Sequence, residues 1–317
     1  MKIAVGISGG IDSLVAAHKL LALGHDIVGV TMTLGRDGEA QMLHEAQNAA
    51  AALNIQLFTR NLADEWRKSV SEYIKSTYQD GKTPNPCIRC NEFIKFGLLP
   101  RWAFSELGCD AFATGHYARL EKSPAGSIRL LRAVDRQKDQ SYFLYRVPAE
   151  ILARTIFPLG EMTKSAVRKY AAEHQLPVAE KPDSQDFCGG DVRNFINLSP
   201  KTGNIVTADG KILGQHYGYW NYTIGKRKGL GIGGGVPYYV VKIIPSRNEV
   251  VVAHQCDALS FTLNLANPIG RIDFKLPVKV RSAGEPKLLA DGILGVAPGQ
   301  SAVFYDGDEI VGGGIIL

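Results

Sequence analysis

No apolar stretch in the 317 residues is long enough to cross a bilayer. The N-terminal apolar run, Lys2–Val5, is followed by no signal-peptide cleavage site. Together these absences make a cytoplasmic protein with no membrane partner the expectation. Cysteine is scarce, with five residues at 87, 90, 109, 188 and 256. In a reducing compartment that excludes a disulfide framework and leaves metal-binding, catalytic or simply buried thiols. Charge of either sign is in small excess: 36 Lys and Arg face 31 Asp and Glu, a net +5. Such a balance permits a polyanionic partner without requiring one. There is no internal repeat and no low-complexity tract, and the length allows two or three domains.

The chain is organised around Met1–Gly24. Lys2–Val5 reads as a buried strand, and Ile11–Leu23 carries apolar residues at helical spacing. Between them Gly6, Ile7, Ser8, Gly9 and Gly10 form a glycine-rich turn. A strand, such a turn and a helix N-terminus together make an anion site, because backbone N–H groups and the positive end of the helix dipole converge there. Asp12 adds a carboxylate able to hold Mg2+, and Ser13 adds a hydroxyl. The turn is not a Walker A loop, since no GK[ST] follows.

Further strands are expected at Asp26–Met32, Ile55–Thr59, Ala111–Thr114 and Ile128–Val134, with helices at Ala40–Leu53, Ala63–Tyr78 and Asn91–Leu107. In the last of these Phe93, Ile94, Phe96 and Leu98 mark the apolar side. This alternation predicts a parallel sheet covered by helices, with ligands bound at the carboxyl ends of its strands. Two prolines around Asn85 predict a rigid, non-helical loop across Asp80–Cys90. Thr163 is the expected N-cap of a helix over Thr163–His174. Past Ser199 glycines are dense and strands short, the pattern of a small antiparallel barrel. The expected organisation is a parallel-sheet α/β domain over 1–160, a small helical linker domain over 161–199 carrying Cys188, and a C-terminal antiparallel β-barrel region over 202–317.

Cys109 and Cys256 have no polar motif nearby and are read as small buried hydrophobes. Cys87 and Cys90 form a CxxC. Four readings stand for them: a zinc pair, a redox dithiol, a sulfur-carrying nucleophile working with Cys188, or a three-cysteine iron–sulfur cluster with Cys87, Cys90 and Cys188 as ligands. Spacing alone does not choose. His116 could simply cap a strand end, but its place at the expected nucleotide edge favours a functional role. Lys138-Asp139 reads on its own as a solvated charge pair, and Lys226-Arg227-Lys228 as a basic turn able to follow a phosphate backbone. Trp220, Tyr238 and Tyr239 read as barrel packing.

The loop Gly6–Ser13 resembles the SGGxDS loop of N-type ATP pyrophosphatases. GISGGIDS, TPNPCIRCNEFIKFG, ATGHYAR, KDQSYFL, FPLG, DSQDFC, TIGKRKGLGIGG and APGQSAVFYDG follow one another as in tRNA-specific 2-thiouridylases, the MnmA/TrmU family. The resemblance spans nearly the whole chain. It implies an adenine nucleotide alpha hydrolase-like (PP-loop) catalytic domain and a transferase that replaces the C2 oxygen of the wobble uridine with sulfur at the cost of ATP. It assigns Gly6, Ile7, Ser8, Gly9, Gly10, Ile11, Asp12, Ser13, Met32 and Gly115 to ATP, Cys90 to the nucleophile and Cys188 to the persulfide. Asn85, Pro86, His116, Lys138, Asp139, Gln140, Arg281 and Gln300 it assigns to tRNA. The implied cofactors are ATP and Mg2+. The implied partners are the anticodon region of tRNA, no DNA, and a sulfur donor: a sulfur-relay protein, a cysteine desulfurase or sulfide.

The chain departs from the family pattern in its cysteines. Many members have Asp where Cys87 stands, and the resulting CxxC with a distant third cysteine looks like cluster-dependent tRNA thiolases, which implies a [4Fe–4S] cluster. DFCGGD also replaces apolar residues after Cys188. The chain is short for the family, trimmed after Met32 and compact at Arg281–Pro286. Two rivals use the same loop: a small-molecule ATP pyrophosphatase such as an amide-forming synthetase, and a non-catalytic RNA-binding or cluster-carrying scaffold.

Overall fold

The computed structural model describes residues 1–177, 199–233 and 235–317. They fall into two compact units. The first contains Met1–Ser69, the described residues from Cys87 to 177, and Asp308–Ile310; the second contains Val70–Pro86, the described residues from 199 to Gly307, and Val311–Leu317. Cys188, expected to carry the persulfide, lies outside the described residues.

In the first unit, strands β1 (Lys2–Gly6), β2 (Asp26–Thr33), β3 (Leu57–Asn61), β4 (Ala111–Ala113) and, later in the chain, Thr155–Ile156 form one sheet. The order is β3-β2-β1-β4 with Thr155–Ile156 beyond β4, and every pair is parallel. Ile3, Ala4 and Val5 are fully buried, which is why β1 reads as an unbroken apolar run instead of an alternating one. The sheet spreads from β1 in both directions, toward β2 and toward β4. That is the topological switch point at which parallel α/β sheets open a crevice. The first helix, α1 (Ile11–Ala22), leaves β1 at this edge.

The helix Lys164–Glu173 packs into the core that holds α1, with Val167 and Ala171 buried in the same cluster as Leu14 and Ala17. The compact units therefore do not divide at residue 160, and this helix is part of the α/β unit instead of a linker. Thr163 caps it as expected, accepting from the Ala166 N–H at 3.2 Å. A hairpin of β5 (Ala118–Lys122) and β6 (Ile128–Arg132) completes the unit, with Glu309 and Ile310 paired to β6; β7 is the Thr155–Ile156 strand.

Asp80–Cys90 is only partly the loop expected. Pro86–Cys90 is helical. Proline is tolerated at the first helical position, where its missing N–H would have no intrahelical partner, so Pro86 starts the helix and does not block it. The helix continues through a π-helical stretch, Asn91–Leu98, into Leu99–Glu106. The wider winding changes which residues face inward: Ile94 and Phe96 are buried, but Phe93 and Leu98, expected on the apolar side, are each 38% exposed.

The second unit holds the expected β-barrel region, built from a four-stranded sheet, a two-stranded pair and the C-terminal antiparallel strands. In the first, β8 (Gly203–Thr207), β9 (Ile212–His216), β10 (Tyr239–Ile244) and β11 (Glu249–Ala253) take the order β10-β11-β8-β9, and β11 and β8 run parallel. Its core is Ile205, Tyr222, Leu230, Val240, Val250 and Val252. The short strands β12 (Leu259–Ser260) and β15 (Ile293–Leu294) pair with each other. The C-terminal strands β13 (Leu265–Gly270), β14 (Val278–Lys279), β16 (Ser301–Asp306) and β17 (Glu309–Ile316) are antiparallel, around Val278, Val280, Phe304 and Ile316. Tyr239 is buried and Tyr238 stacks on His254, in line with packing roles.

Candidate nucleotide site and cysteine turn

The loop after β1 is shaped by the places where a side chain cannot fit. Gly9 has φ +77°, and a Cβ there would lie 2.6 Å from the Glu45 Cβ and 2.8 Å from its carbonyl carbon. Gly115, just past β4, presses on the start of α1: its Cβ would fall 2.6 Å from the Asp12 carbonyl carbon and 2.8 Å from the Ser13 nitrogen. The two loops that flank the β1/β4 crevice thus touch backbone to backbone. No side chain caps α1, whose N-cap is Gly10, so its amino end carries the partial positive charge that favours a phosphate. Ser13 is buried and ties the loop to itself, donating to the Gly10 carbonyl at 2.9 Å and accepting from the Ser8 N–H at 3.2 Å.

Asp12 stands in the first turn of α1, and its carboxylate is already engaged. The Lys164 ammonium lies 2.7 and 2.8 Å from its two oxygens, and the Tyr117 hydroxyl donates to Oδ1 at 2.7 Å. Among the described residues no group of three His, Cys, Asp or Glu is placed to hold a metal ion. These residues do not fit a protein-held Mg2+ at Asp12. Lys164, Tyr117 and Asp135, which accepts from the Lys164 N–H at 2.8 Å, were missed in the sequence. One signal was available: a lysine in the first turn of a helix opposes the dipole and calls for a partner.

The residues assigned to tRNA sort differently. His116 is buried between Phe96 and Phe157, with Nδ1 2.8 Å from the Thr114 hydroxyl. Burial, then the Lys95 charge, pushes its pKa well below the usual histidine range, so the ring is neutral and offers no charge to a phosphate. The Asp139 side chain is fully buried; it accepts from the N–H groups of Ala133 and Ser141 and from the Ser141 hydroxyl, and pairs with Arg132 at 3.5 Å. Gln140 accepts from the Tyr117 N–H at 2.9 Å through its side chain and donates to the Tyr117 carbonyl from its backbone. Gln140 thus holds the Tyr117 loop in place and Asp139 ties Ala133 to Ser141, and neither is a solvated surface group. Lys138 is half-buried, with its N–H on Asp135.

In the second unit Asn85 and Gln300, which stand 215 residues apart, come together at 3.4 Å. Gln300 Nε2 donates to the carbonyls of Thr83 (3.3 Å) and Pro84 (2.7 Å), and the Tyr73 hydroxyl accepts from the Asn85 N–H at 3.0 Å. Arg281 donates to the carbonyls of Leu294 and Gly295, and a Cβ on Gly225 would come within 2.9 Å of its guanidinium. Arg227 and Lys228 of the basic turn are exposed, while Lys226 reaches the Asn221 carbonyl at 2.9 Å.

Cys90 is buried and Cys87 half-buried, three residues apart on the Pro86–Cys90 turn. Asn91 next to them is buried, donating to the Phe143 carbonyl at 3.2 Å. Cys109 is buried in the core, and that burial raises its pKa. Cys256 is exposed, contrary to the expectation of a buried hydrophobe: it sits in the short turn Gln255–Ala258, where only Ala258 points inward.

Residues 1–189 match the family model described as the tRNA methyl transferase HUP domain, 193–254 the tRNA methyl transferase PRC-barrel domain, and 288–316 the aminomethyltransferase beta-barrel domain. The chain is similar to the tRNA-specific 2-thiouridylase MnmA of a Synechocystis species, with 43% identity over 346 residues covering 99% of this chain and 96% of that one. It is 44% identical to the same enzyme of a Picosynechococcus species (99% and 98% covered) and 39% identical to that of Endomicrobium trichonymphae (100% and 99%). With the first unit carrying an ATP-using HUP fold, and relatives this similar along its whole length, the chain belongs to the MnmA family of tRNA-specific 2-thiouridylases.

Proposed function

We propose that the chain is an ATP-dependent tRNA 2-thiouridylase acting on the wobble uridine. The observation that carries this reading is the uncapped helix start and its glycine-built loop at the β1/β4 crevice of a chain that belongs to this family. The loop Gly6–Ser13, with Met32 and Gly115, binds ATP, and its backbone N–H groups face the pyrophosphate. The uridine C2 oxygen attacks the α-phosphorus, the bond to the β-phosphate oxygen breaks and pyrophosphate leaves. This turns a poor leaving group into a good one. The terminal sulfur of a persulfide on Cys188 then attacks C2, the C2–O bond breaks and AMP departs. Cys90 attacks the Cys188 sulfur, the S–S bond to the transferred atom breaks, and a Cys90–Cys188 disulfide forms. A thiol reductant reopens it, and a persulfide-bearing donor reloads Cys188. No step is routed through a metal.

Asn85-Pro86 meets the target base in this reading. Arg281, Arg227 and Lys228 follow the tRNA backbone, the last two as exposed charges. A second reading rests on Cys87, which makes Cys87, Cys90 and Cys188 a ligand set for an iron–sulfur cluster. Cys87 and Cys90 stand on one turn, and Cys188 lies outside the described residues. Anaerobic purification with iron and acid-labile sulfide analysis decides it: a colourless, iron-free chain that thiolates tRNA removes the cluster. No helix among the described residues is long and apolar enough to cross a membrane, and we place the reaction in the cytoplasm with its tRNA. Mass spectrometry of tRNA nucleosides tests the main reading. Cells lacking the protein lose 2-thiouridine derivatives; unchanged levels would overturn it.

A further inference from the structure

The pairing of Asp12 with Lys164 points to a role for both that the metal expectation did not contain. We infer that Lys164 is the cation that meets the polyphosphate of the bound nucleotide, and that Asp12 is a positioning residue that aims it. The inference rests on the reading of Gly6–Ser13 as the ATP loop.

Lys164 is placed against two penalties. It occupies the first position of the helix Lys164–Glu173, where the dipole disfavours a positive charge, and it is only 9% exposed. Its compensation is the Asp12 carboxylate, contacted through both oxygens at 2.7 and 2.8 Å. A buried ion pair is a weak source of stability, and well-packed apolar residues of similar size often do as well or better. Stability alone is therefore a poor account of this pair. Its location supplies another. Asp12 is two residues beyond Gly10 in the first turn of α1, at the end that attracts phosphate. An unneutralised carboxylate there would repel a polyphosphate. With Lys164 on it the pair is neutral, and an ammonium stands beside the phosphate-binding end of the helix.

The surrounding contacts hold that ammonium in place. The Lys164 N–H is fixed by Asp135, whose other oxygen accepts from the N–H groups of Gln137 and Lys138. Tyr117 donates to Asp12, and its own backbone is held by Gln140. Gln140, expected against tRNA, thereby supports the nucleotide side of the molecule. An ammonium is a compact point charge without directional demands, which suits a pyrophosphate that must leave after the reaction.

The test is equilibrium binding of the full chain to a non-hydrolysable α,β-methylene ATP and to AMP, with Mg2+ titrated. If Lys164 meets the polyphosphate, Lys164→Met weakens the ATP analogue about tenfold or more and AMP less than about twofold, and Lys164→Arg restores most of the loss. Asp12→Asn weakens the analogue without moving the Mg2+ concentration for half-maximal binding. The double variant Asp12→Asn/Lys164→Met, which removes both charges and so folds even where Lys164→Met alone does not, binds the analogue no worse than Lys164→Met. Equal losses for the analogue and AMP, or none, in a folded Lys164→Met or double variant would overturn the inference. So would a rise of about tenfold in the Mg2+ requirement of Asp12→Asn, which would make Asp12 a metal ligand. Wild-type chain that binds neither nucleotide would sink the ATP reading itself, a different result from any variant effect.

Discussion

The loops Gly6–Ser13 and Thr83–Pro86 both lead into a helix, and they are built in opposite ways. The first is shaped by missing side chains: Gly9 and Gly115 stand where a Cβ would strike backbone at under 3 Å. The second is held by side chains, with Gln300 on two carbonyls and Tyr73 on one N–H. A loop of the first kind depends on close approach and fails when atoms are added. A loop of the second kind depends on partners and fails when atoms are taken away.

The largest effect expected from this contrast is that of Gly115→Ala. The new methyl group must push the start of α1 aside, at a cost of about 1–3 kcal/mol, and a displacement of the phosphate site on the ångström scale lowers ATP-dependent turnover about 100-fold. Pyrophosphate release in the presence of tRNA measures it, and normal turnover would break the contrast at its first half. Gln300→Ala comes next. It strands the carbonyls of Thr83 and Pro84 at about 1–3 kcal/mol, visible as a lower midpoint in thermal unfolding together with slower thiolation. Should stability hold while only tRNA affinity drops, Gln300 is a surface contact and the second loop is not braced as described.

His116 sharpens the comparison through pH. Its ring titrates below the ordinary 6.5 in the folded chain, through burial and then Lys95. As pH falls below about 6.5 the unfolded chain takes the proton first, so this stabilisation is complete above that pH and is lost on acidification until the folded ring protonates too, at up to about 1.4 kcal/mol per pH unit. Urea unfolding at several pH values should show the slope, and His116→Gln should flatten it. The smallest effect belongs to Cys256→Ser, an exposed residue outside both loops: stability within about 0.5 kcal/mol and unaltered thiolation.

The same contrast explains what could be read in the sequence. Glycines that a loop needs are visible in the letters themselves, so Gly6–Ser13 and Gly115 were legible, as was a parallel sheet from its apolar runs. Braces were not, because a brace is defined by a partner far away in the chain. Gln300 and Asn85, Lys164 and Asp12, and Arg132 and Asp139 are joined only by the fold. Asp139 accordingly reads in the sequence as half of a solvated charge pair, although its side chain is buried against the N–H groups of Ala133 and Ser141. The parallel β8/β11 pair was missed for a related reason: short strands separated by turn residues look alike whether neighbours run together or opposed.

The π-helical stretch Asn91–Leu98 has one more consequence. A backbone bonded i to i+5 takes in more residues per turn than an α-helix, and so it sets the rotational phase between the cysteine turn before it and the helix Leu99–Glu106 after it. Deleting a single residue within the stretch and resuming α-helical bonding would rotate Cys87 and Cys90 relative to Leu99 and Ala103 by less than the ~100° of one α-helical residue, because the tighter winding offsets part of the deletion. The length of this segment is therefore a setting of the direction in which Cys90 points.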